Sequence, residues 1–548
     1  MVQPRADVVL TNGRIFTGLA SGITEAIAIK ENRILAAGKA TDIEALAGPG
    51  TRQIDLRGRA ATPGINDGHQ HLLPLGLALE EIDLRPPAVR TLEGLLEAVK
   101  ARTVNLPPNQ WITGGRYDHF ALDVKRHPTR DELDRAAPDH PVYLRRTCGH
   151  MGVANSRAMA LAGLDEETPD MPGGHLGRHE GRLTGLMQER AQELITNAIP
   201  AKGREDLVRG IEAGGLKMLS LGITSVMDAG VGLNEGYGDF EAYLAAKAQQ
   251  RLPVRAYLAL LAAPDQNVAK SALEAGYVTG TGDDRLKIGP AKLFTDGSAG
   301  GRTAAMTEPY WGGEGGLGLF IYDDATLFEL VAGHHALGFQ VSIHAIGDAA
   351  IDQTIRAYHH AQRASAMEAK AFAERRHRIE HCGFVTESHH RAMAELGLIP
   401  APQPIFMYEF GDLYLDVLGP SRSEGAYPLR RWLDDERHPI ASSDAPVSSP
   451  VPATNLYQMI TRKTQSGRVL GEDQRVTLAE ALHAYTHGGA WGSFCEATKG
   501  TLTPGQLADV AVWSADLFDL APEDLLNTVC DLTLLDGQVV FDRTGEVT

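Results

Sequence analysis

Apolar positions along this chain follow two rhythms. From residue 7 to about 62 they come in short runs broken by tight polar turns: Val8-Val9-Leu10 meets Thr11-Asn12-Gly13 and then Arg14-Ile15-Phe16, and Ala26-Ile27-Ala28-Ile29 meets Glu31-Asn32 and then Arg33-Ile34-Leu35. Asn-Gly between apolar runs is a hairpin signal, because both residues tolerate positive φ. The far end repeats the style, with Ala508 to Trp513 followed by Leu532 to Phe541. Two β-rich ends around a different middle predict that residues 1–62 and 500–548 join in one small β-sandwich.

The middle, residues 63–499, changes to strand-like runs separated by helical patterns. After an opening strand that reaches His71, the runs are Ile223–Asp228, Val254–Leu260, Ala291–Asp296, Gln340–His344, Arg378–His381, Leu398–Ala401 and Pro439–Asp444. Helical patterns such as Asp324–Leu337 and Ser388–Leu396 lie between them. Eight strand–helix units are the count of a (β/α)8 TIM-type barrel, an α/β fold. One connection is far too long for a crossover helix, and it predicts an α+β insertion after the first barrel strand, at about residues 75–205. The Gly-rich run from Gly297 to Gly318 and the stretch from Pro404 to Leu429 are also long. In such barrels the loops after the strands carry the site, so both are candidate substrate loops.

Polar residues at the carboxyl ends of these strands supply the candidate chemistry. In His69-Gln70-His71 the two imidazoles are two positions apart and so share one side of an extended strand, within reach of one ion. Lys292, His344, His381 and Asp444 stand at or near the carboxyl ends of the fourth, fifth, sixth and eighth strands. Each has a bland reading on its own: a hydrogen-bonded core histidine, an aspartate shaping the turn before Ala445-Pro446, a lysine in a buried ion pair. Their arrival together at the same end of five strands favours a metal site at the barrel mouth.

Composition narrows the setting. A chain of 548 residues divides into about two to four domains. A net charge of −18 argues against nucleic acid as a partner. The four cysteines, Cys148, Cys382, Cys495 and Cys530, are scattered without a Cys-x-x-Cys pair, which implies neither a disulfide framework nor a structural zinc site. No apolar run approaches a membrane span, and the first residues lack the apolar core of a secretory signal. A cytoplasmic enzyme is the expectation.

The chain resembles the amidohydrolase superfamily, and within it the family 3, or YtcJ-like, branch that includes N-substituted formamide deformylase. The resemblance rests on Pro63-Gly64-Ile65-Asn66-Asp67-Gly68-His69-Gln70-His71, Gly149-His150 with Asn155-Ser156, Lys292 to Ser298, Arg302-Thr303-Ala304, His344 to Ala349, Arg378 to His381, Ser443 to Val447, and the closing Gly500 to Gly505 with Ala508-Asp509. It implies a hydrolase of a carbon–nitrogen bond in a small, non-peptide amide. Two divalent ions per chain, zinc by preference, are implied: His69, His71 and Asp444 would hold the more buried one, and His344 and His381 the second. Lys292, carboxylated by carbon dioxide, would bridge them. A metal-bound hydroxide would attack the carbonyl, with Asp444 carrying its proton to the leaving amine. His150, Asn155, Arg302 and Tyr117-Asp118-His119 would approach substrate, Glu189 would face the site, Glu380 and Asp348 would support the ligands, and a homodimer is plausible on the same ground. The pairs His334-His335, His359-His360 and His389-His390 are expected to face solvent or neighbouring helices.

Two other readings differ in what they require. A one-metal deaminase of a heterocycle would place a glutamate three residues after His344, where this chain has Gly347, and would leave Lys292 without a task. A non-catalytic regulatory protein on a hydrolase fold would have no chemical need for Asp444. Trp111, Phe120, Tyr310, Trp311, Phe406, Met407 and Tyr408 could line an apolar substrate pocket or serve as ordinary packing.

Overall fold

A computed structural model describes residues 4–547 except 87, 105, 147–150, 172 and 313–315. Among these residues, seven parallel strands neighbour one another in chain order: Ile65–Gln70, Ile223–Val231, Arg255–Ala263, Leu286–Phe294, Val341–Ala345, Arg378–His381 and Ile399–Ala401. They are almost entirely buried, as strands covered on both faces must be. The helices between them bury one face each. Asp348–Ser365, for example, turns Ile351, Ile355 and Tyr358 inward at helical spacing.

The expected eighth strand is not a regular one. Residues 439–445 run between the seventh and first strands as an extended segment with scattered hydrogen bonds. The Ile440 amide donates to Pro400 O at 3.0 Å, that of Asp444 to His69 O at 2.8 Å, and that of His71 to Ala445 O at 2.8 Å. The ladder fails because Pro439 has no N–H and the Ser443 amide donates to the Asp67 carboxylate instead of a strand carbonyl. Gly68 makes the close approach possible, since a Cβ there would fall 2.0 Å from Ile440 Cγ2. The segment closes a (β/α)8 barrel of TIM type. The fourth strand also differs from expectation, starting at Leu286 rather than Ala291.

Both ends of the chain build two further sheets. Val8–Thr11 pairs with Ala26–Lys30 and Arg52–Asp55 in one, and Ala60–Pro63 pairs with Arg14–Gly18 and Val510–Trp513 in the other. Leu10, Ile15, Ile27, Ile54, Val510, Val512 and Leu532 share a single core. Residues Leu77–Asp206 form a separate compact unit. It holds a six-stranded mixed sheet and its own core, which includes Leu95, Val99, Leu133, Val142 and Leu144. No helix among the described residues is long and apolar enough to cross a membrane.

The paired histidines are more buried than a surface role requires. His334, His335, His389 and His390 are all packed inside. A further pair lies beside the amino end of the barrel-closing segment, where His483 stacks on His487 at 4.6 Å. Burial, reinforced by His487 and His438, pushes the His483 pKa down to about 4. The unfolded chain takes up this proton near pH 6.5, whereas the folded chain resists it until about pH 4. The stability from His483 is therefore complete above pH 6.5 and is lost as pH falls towards 4. Melting curves should show a fall in Tm across that window, and His483→Asn should flatten it.

Candidate metal centre

His69 is the most constrained residue of the barrel mouth. Its Nδ1 faces Glu380 Oε2 in a short hydrogen bond, with both side chains buried. Glu380 also accepts from Ser342 Oγ at 2.8 Å and from Arg378 Nε at 2.7 Å, and Arg378 in turn donates to Gly68 O at 2.7 Å. Burial alone would push the Glu380 carboxyl up, but Arg378 and His69 outweigh it and hold the group well below the carboxylate range. An ionised Glu380 can only accept, so Nδ1 of His69 carries the proton and Nε2 presents its lone pair. Glu380 thus supports His69 across the barrel, not its sequence neighbour His381.

That lone pair points at Asp444. Asp444 Oδ1 lies 3.4 Å from His69 Nε2 and 3.1 Å from His71 Nε2. The carboxylate oxygen is buried yet makes no hydrogen bond of proper geometry. His69, His71 and Asp444 offer three ligand atoms within 4.8 Å of one another, the one such grouping of His, Cys, Asp and Glu among the described residues. Burial pushes the Asp444 carboxyl up, and the two imidazoles overcome it and hold the group well below its ordinary value. Two imidazole nitrogens and a carboxylate oxygen converging without a hydrogen bond of proper geometry at that oxygen fit the donor set of a divalent cation.

His344 and His381 stand beside this trio as an edge-to-face pair, 4.4 Å between ring centroids, and His381 is 4.9 Å from His69. His381 Nδ1 lies 2.6 Å from Gln403 Oε1, which leaves Nε2 turned the other way. Burial and His344 hold His381 neutral, its pKa well below that of free imidazole. His344 Nε2 is instead 3.0 Å from Gly297 O and 3.3 Å from Asp296 Oδ1. Lys292, on the fourth strand, is buried, and its Nζ has no hydrogen-bond partner. Burial lowers its pKa to about 8 against the pull of Glu380 and Asp444.

Backbone geometry explains how neighbouring residues can serve one site. Glu380 and His381 would point to opposite faces of a regular strand. His381 instead adopts φ of 64°, ending the strand in the left-handed region, and Asp444 does so at 60°. Asp296 fixes the loops above by accepting from the amides of Ile346, Gly347 and Ala305 at 3.1, 2.8 and 3.0 Å. Sequence reasoning assigned no role to Arg378, Ser342, Gln403 or Asp296. Arg378 and Glu380 carried a signal nonetheless: two opposite charges two residues apart in a buried strand share a face and must be paired.

The other expected residues divide. Arg302 occupies the loop after the fourth strand, half-buried and at φ of 55°. His150 lies outside the described residues. Asn155 is fully buried in the inserted unit, where its side chain accepts from the amides of Val142 and Ala158 and donates to His140 O, capping a short helix. Asp348 binds Thr307 through both its amide and its hydroxyl, so it anchors a loop rather than a ligand. In the inserted unit, His119 accepts from Arg146 Nε at 2.9 Å and stacks on His127 at 4.1 Å, while Asp118 accepts from Arg146 at 3.1 Å. Glu189 is exposed at the end of a strand of that unit. Tyr310, Phe406 and Met407 are core residues, and Phe120 and Trp311 are exposed.

Comparison with known proteins agrees with this geometry. A model of the Amidohydrolase family matches residues 52–541. N-substituted formamide deformylase of Arthrobacter pascens is 29% identical, with the whole of both chains covered. YtcJ of Bacillus subtilis (strain 168) is also 29% identical, over 97% of this chain and 99% of its own length. The crystal structure of an uncharacterized metal-dependent hydrolase from Pyrococcus furiosus superposes with a TM-score of 0.75 at 29% identity, covering 92% of this chain and 98% of that one. The family match takes in His69, His71, Lys292, His344, His381 and Asp444 alike, and the chain belongs to the amidohydrolase family.

Proposed function

We propose that this protein hydrolyses a carbon–nitrogen bond in a small, non-peptide amide, with N-substituted formamides the first class to try. The observation that carries the reading is the meeting of His69, His71 and Asp444 at one point beside a buried lysine without a hydrogen-bond partner. The 29% identity to a formamide deformylase over its full length supports the choice of substrate.

In this reading His69, His71 and Asp444 hold one divalent ion, and His344 and His381 hold a second, zinc being the metal that suits imidazole and carboxylate donors. Bound divalent ions polarise an amide carbonyl and make water nucleophilic near neutral pH. Lys292, once carboxylated, would supply a further anionic oxygen ligand to these ions. A pKa near 8 leaves a fraction of its amine neutral at physiological pH, as carbamate formation requires. Glu380 keeps His69 in the tautomer that presents Nε2, and Gln403 does the same for His381. Asp444 accepts the proton of the attacking water and delivers it to the amine nitrogen as the carbon–nitrogen bond breaks. Arg302, in the loop after the fourth strand, is the candidate for substrate contact.

The test is elemental analysis of the purified protein together with a panel of N-alkyl formamides, N-aryl formamides and acetanilides. Two metal equivalents per chain and turnover of at least one member are expected, with labelled bicarbonate incorporated at Lys292 in magnetic resonance. A fully metal-loaded protein that cleaves no amide would overturn the proposal.

A further inference from the structure

Beyond the metal ligands, one side chain at the barrel mouth is held as if for a reaction. Tyr427 lies in the loop after the seventh strand and is 1% exposed, and its hydroxyl makes no hydrogen bond of proper geometry, meeting only the Tyr414 side chain. A buried hydroxyl without a proper hydrogen bond is costly, and a fold that needed only the ring would use phenylalanine. The hydroxyl rests against Gly383, two residues beyond His381: a Cβ on that glycine would stand 3.2 Å from the oxygen. Beyond Tyr414, the charges of Asp444 and Asp296 also reach it.

The backbone is strained to put it there. Tyr427 has φ of 49°, a left-handed conformation that a bulky aromatic residue rarely adopts. Such strain persists only where surrounding contacts impose it. Here the Tyr427 amide donates to Gly383 O at 2.9 Å. The buried guanidinium of Arg462 grips the carbonyls of Tyr427, Ala426 and Leu470 at 3.1, 2.8 and 2.8 Å. Phe406 stacks on His381 at 6.0 Å and meets the Tyr427 ring edge-on at 6.2 Å, filling the space between ligand and phenol.

We infer that the Tyr427 hydroxyl is a catalytic hydrogen-bond donor to the carbonyl oxygen of the amide, stabilising the negative charge that gathers there as water adds. This rests on the amide reading above. It adds a donor fixed before substrate arrives, the condition under which such a contact is most effective. Burial raises the phenol well above its ordinary pKa, so it stays protonated and able to donate.

Tyr427→Phe removes the oxygen and keeps the ring. In the metal-bound protein as purified it should lower kcat by about 10²-fold with little change in KM, the usual effect of losing one such donor. Metal content and Tm should both be essentially unchanged, since no hydrogen bond of proper geometry is lost. Calorimetric titration with acetohydroxamate, a chelating mimic of an amide, should give a Kd at least fivefold weaker in the variant. A kcat within twofold of wild type, or a drop in Tm with kcat intact, would overturn the inference and make the phenol a packing residue. If the wild type cleaves no amide, the functional reading falls first and acetohydroxamate alone decides: equal Kd in both proteins, or no binding to the wild type, ends the inference.

Discussion

Asp444→Asn should lower kcat/KM by about 10³-fold while leaving the fold intact. The substitution keeps the shape of the side chain but replaces an anionic oxygen facing His69 and His71 with a neutral amide. On the proposed reading it removes a metal ligand and the proton carrier together, and general acid–base groups alone contribute about 10²–10⁴ in rate. Steady-state kinetics at saturating metal separate the two losses. If excess zinc restores full activity, Asp444 is a ligand only; if metal binds and turnover stays low, it moves the proton. Activity within tenfold of wild type without added metal would remove Asp444 from both roles.

The second large effect belongs to Glu380→Gln. Arg378 is buried, and apart from the Gly68 carbonyl its guanidinium bonds to Glu380. Breaking a buried ion pair from one side costs about 3–5 kcal/mol, because the remaining charge is left uncompensated. The same change loosens the tautomer of His69, and loss of such a support typically weakens metal affinity by about 10–100-fold. Denaturant unfolding and metal titration read the two consequences independently. Adding Arg378→Met to Glu380→Gln should recover much of the stability and none of the metal affinity. Recovery of both would mean that Glu380 serves the fold alone.

What could be read from the chain, and what could not, follows from the range of each interaction. Barrel strands announce themselves through local apolar runs, and His69, His71, His344, His381 and Asp444 stand at or near the ends of such runs, with Lys292 within one, so strand position was enough to bring them into one region. The support of His69 by Glu380 was not legible. It spans 311 residues, and the adjacency of Glu380 to His381 pointed to the wrong partner. Strand alternation gives no guide there, because it assumes regular dihedrals and His381 abandons them at φ of 64°. The structural task of Asn155 was equally hidden: its side chain satisfies three backbone groups inside the inserted unit, which no local pattern announces. Tyr427 gave no signal at all, since neither an unsatisfied hydroxyl nor a strained backbone is written in composition or period.

The sandwich carries a consequence for how this chain is made. Trp513 Nε1 donates to Thr62 Oγ1 at 3.1 Å across 451 residues, and Val512 sits opposite Ala61 in the same sheet. During synthesis the first strands leave the ribosome long before their partners exist, with Ile15, Ile27 and Leu10 unable to find the other half of their core. A whole barrel must be translated while those edges wait, which is the condition that favours mispairing between nascent chains. Chaperone demand should therefore concentrate on the first sixty residues, and it ends when the last strands emerge.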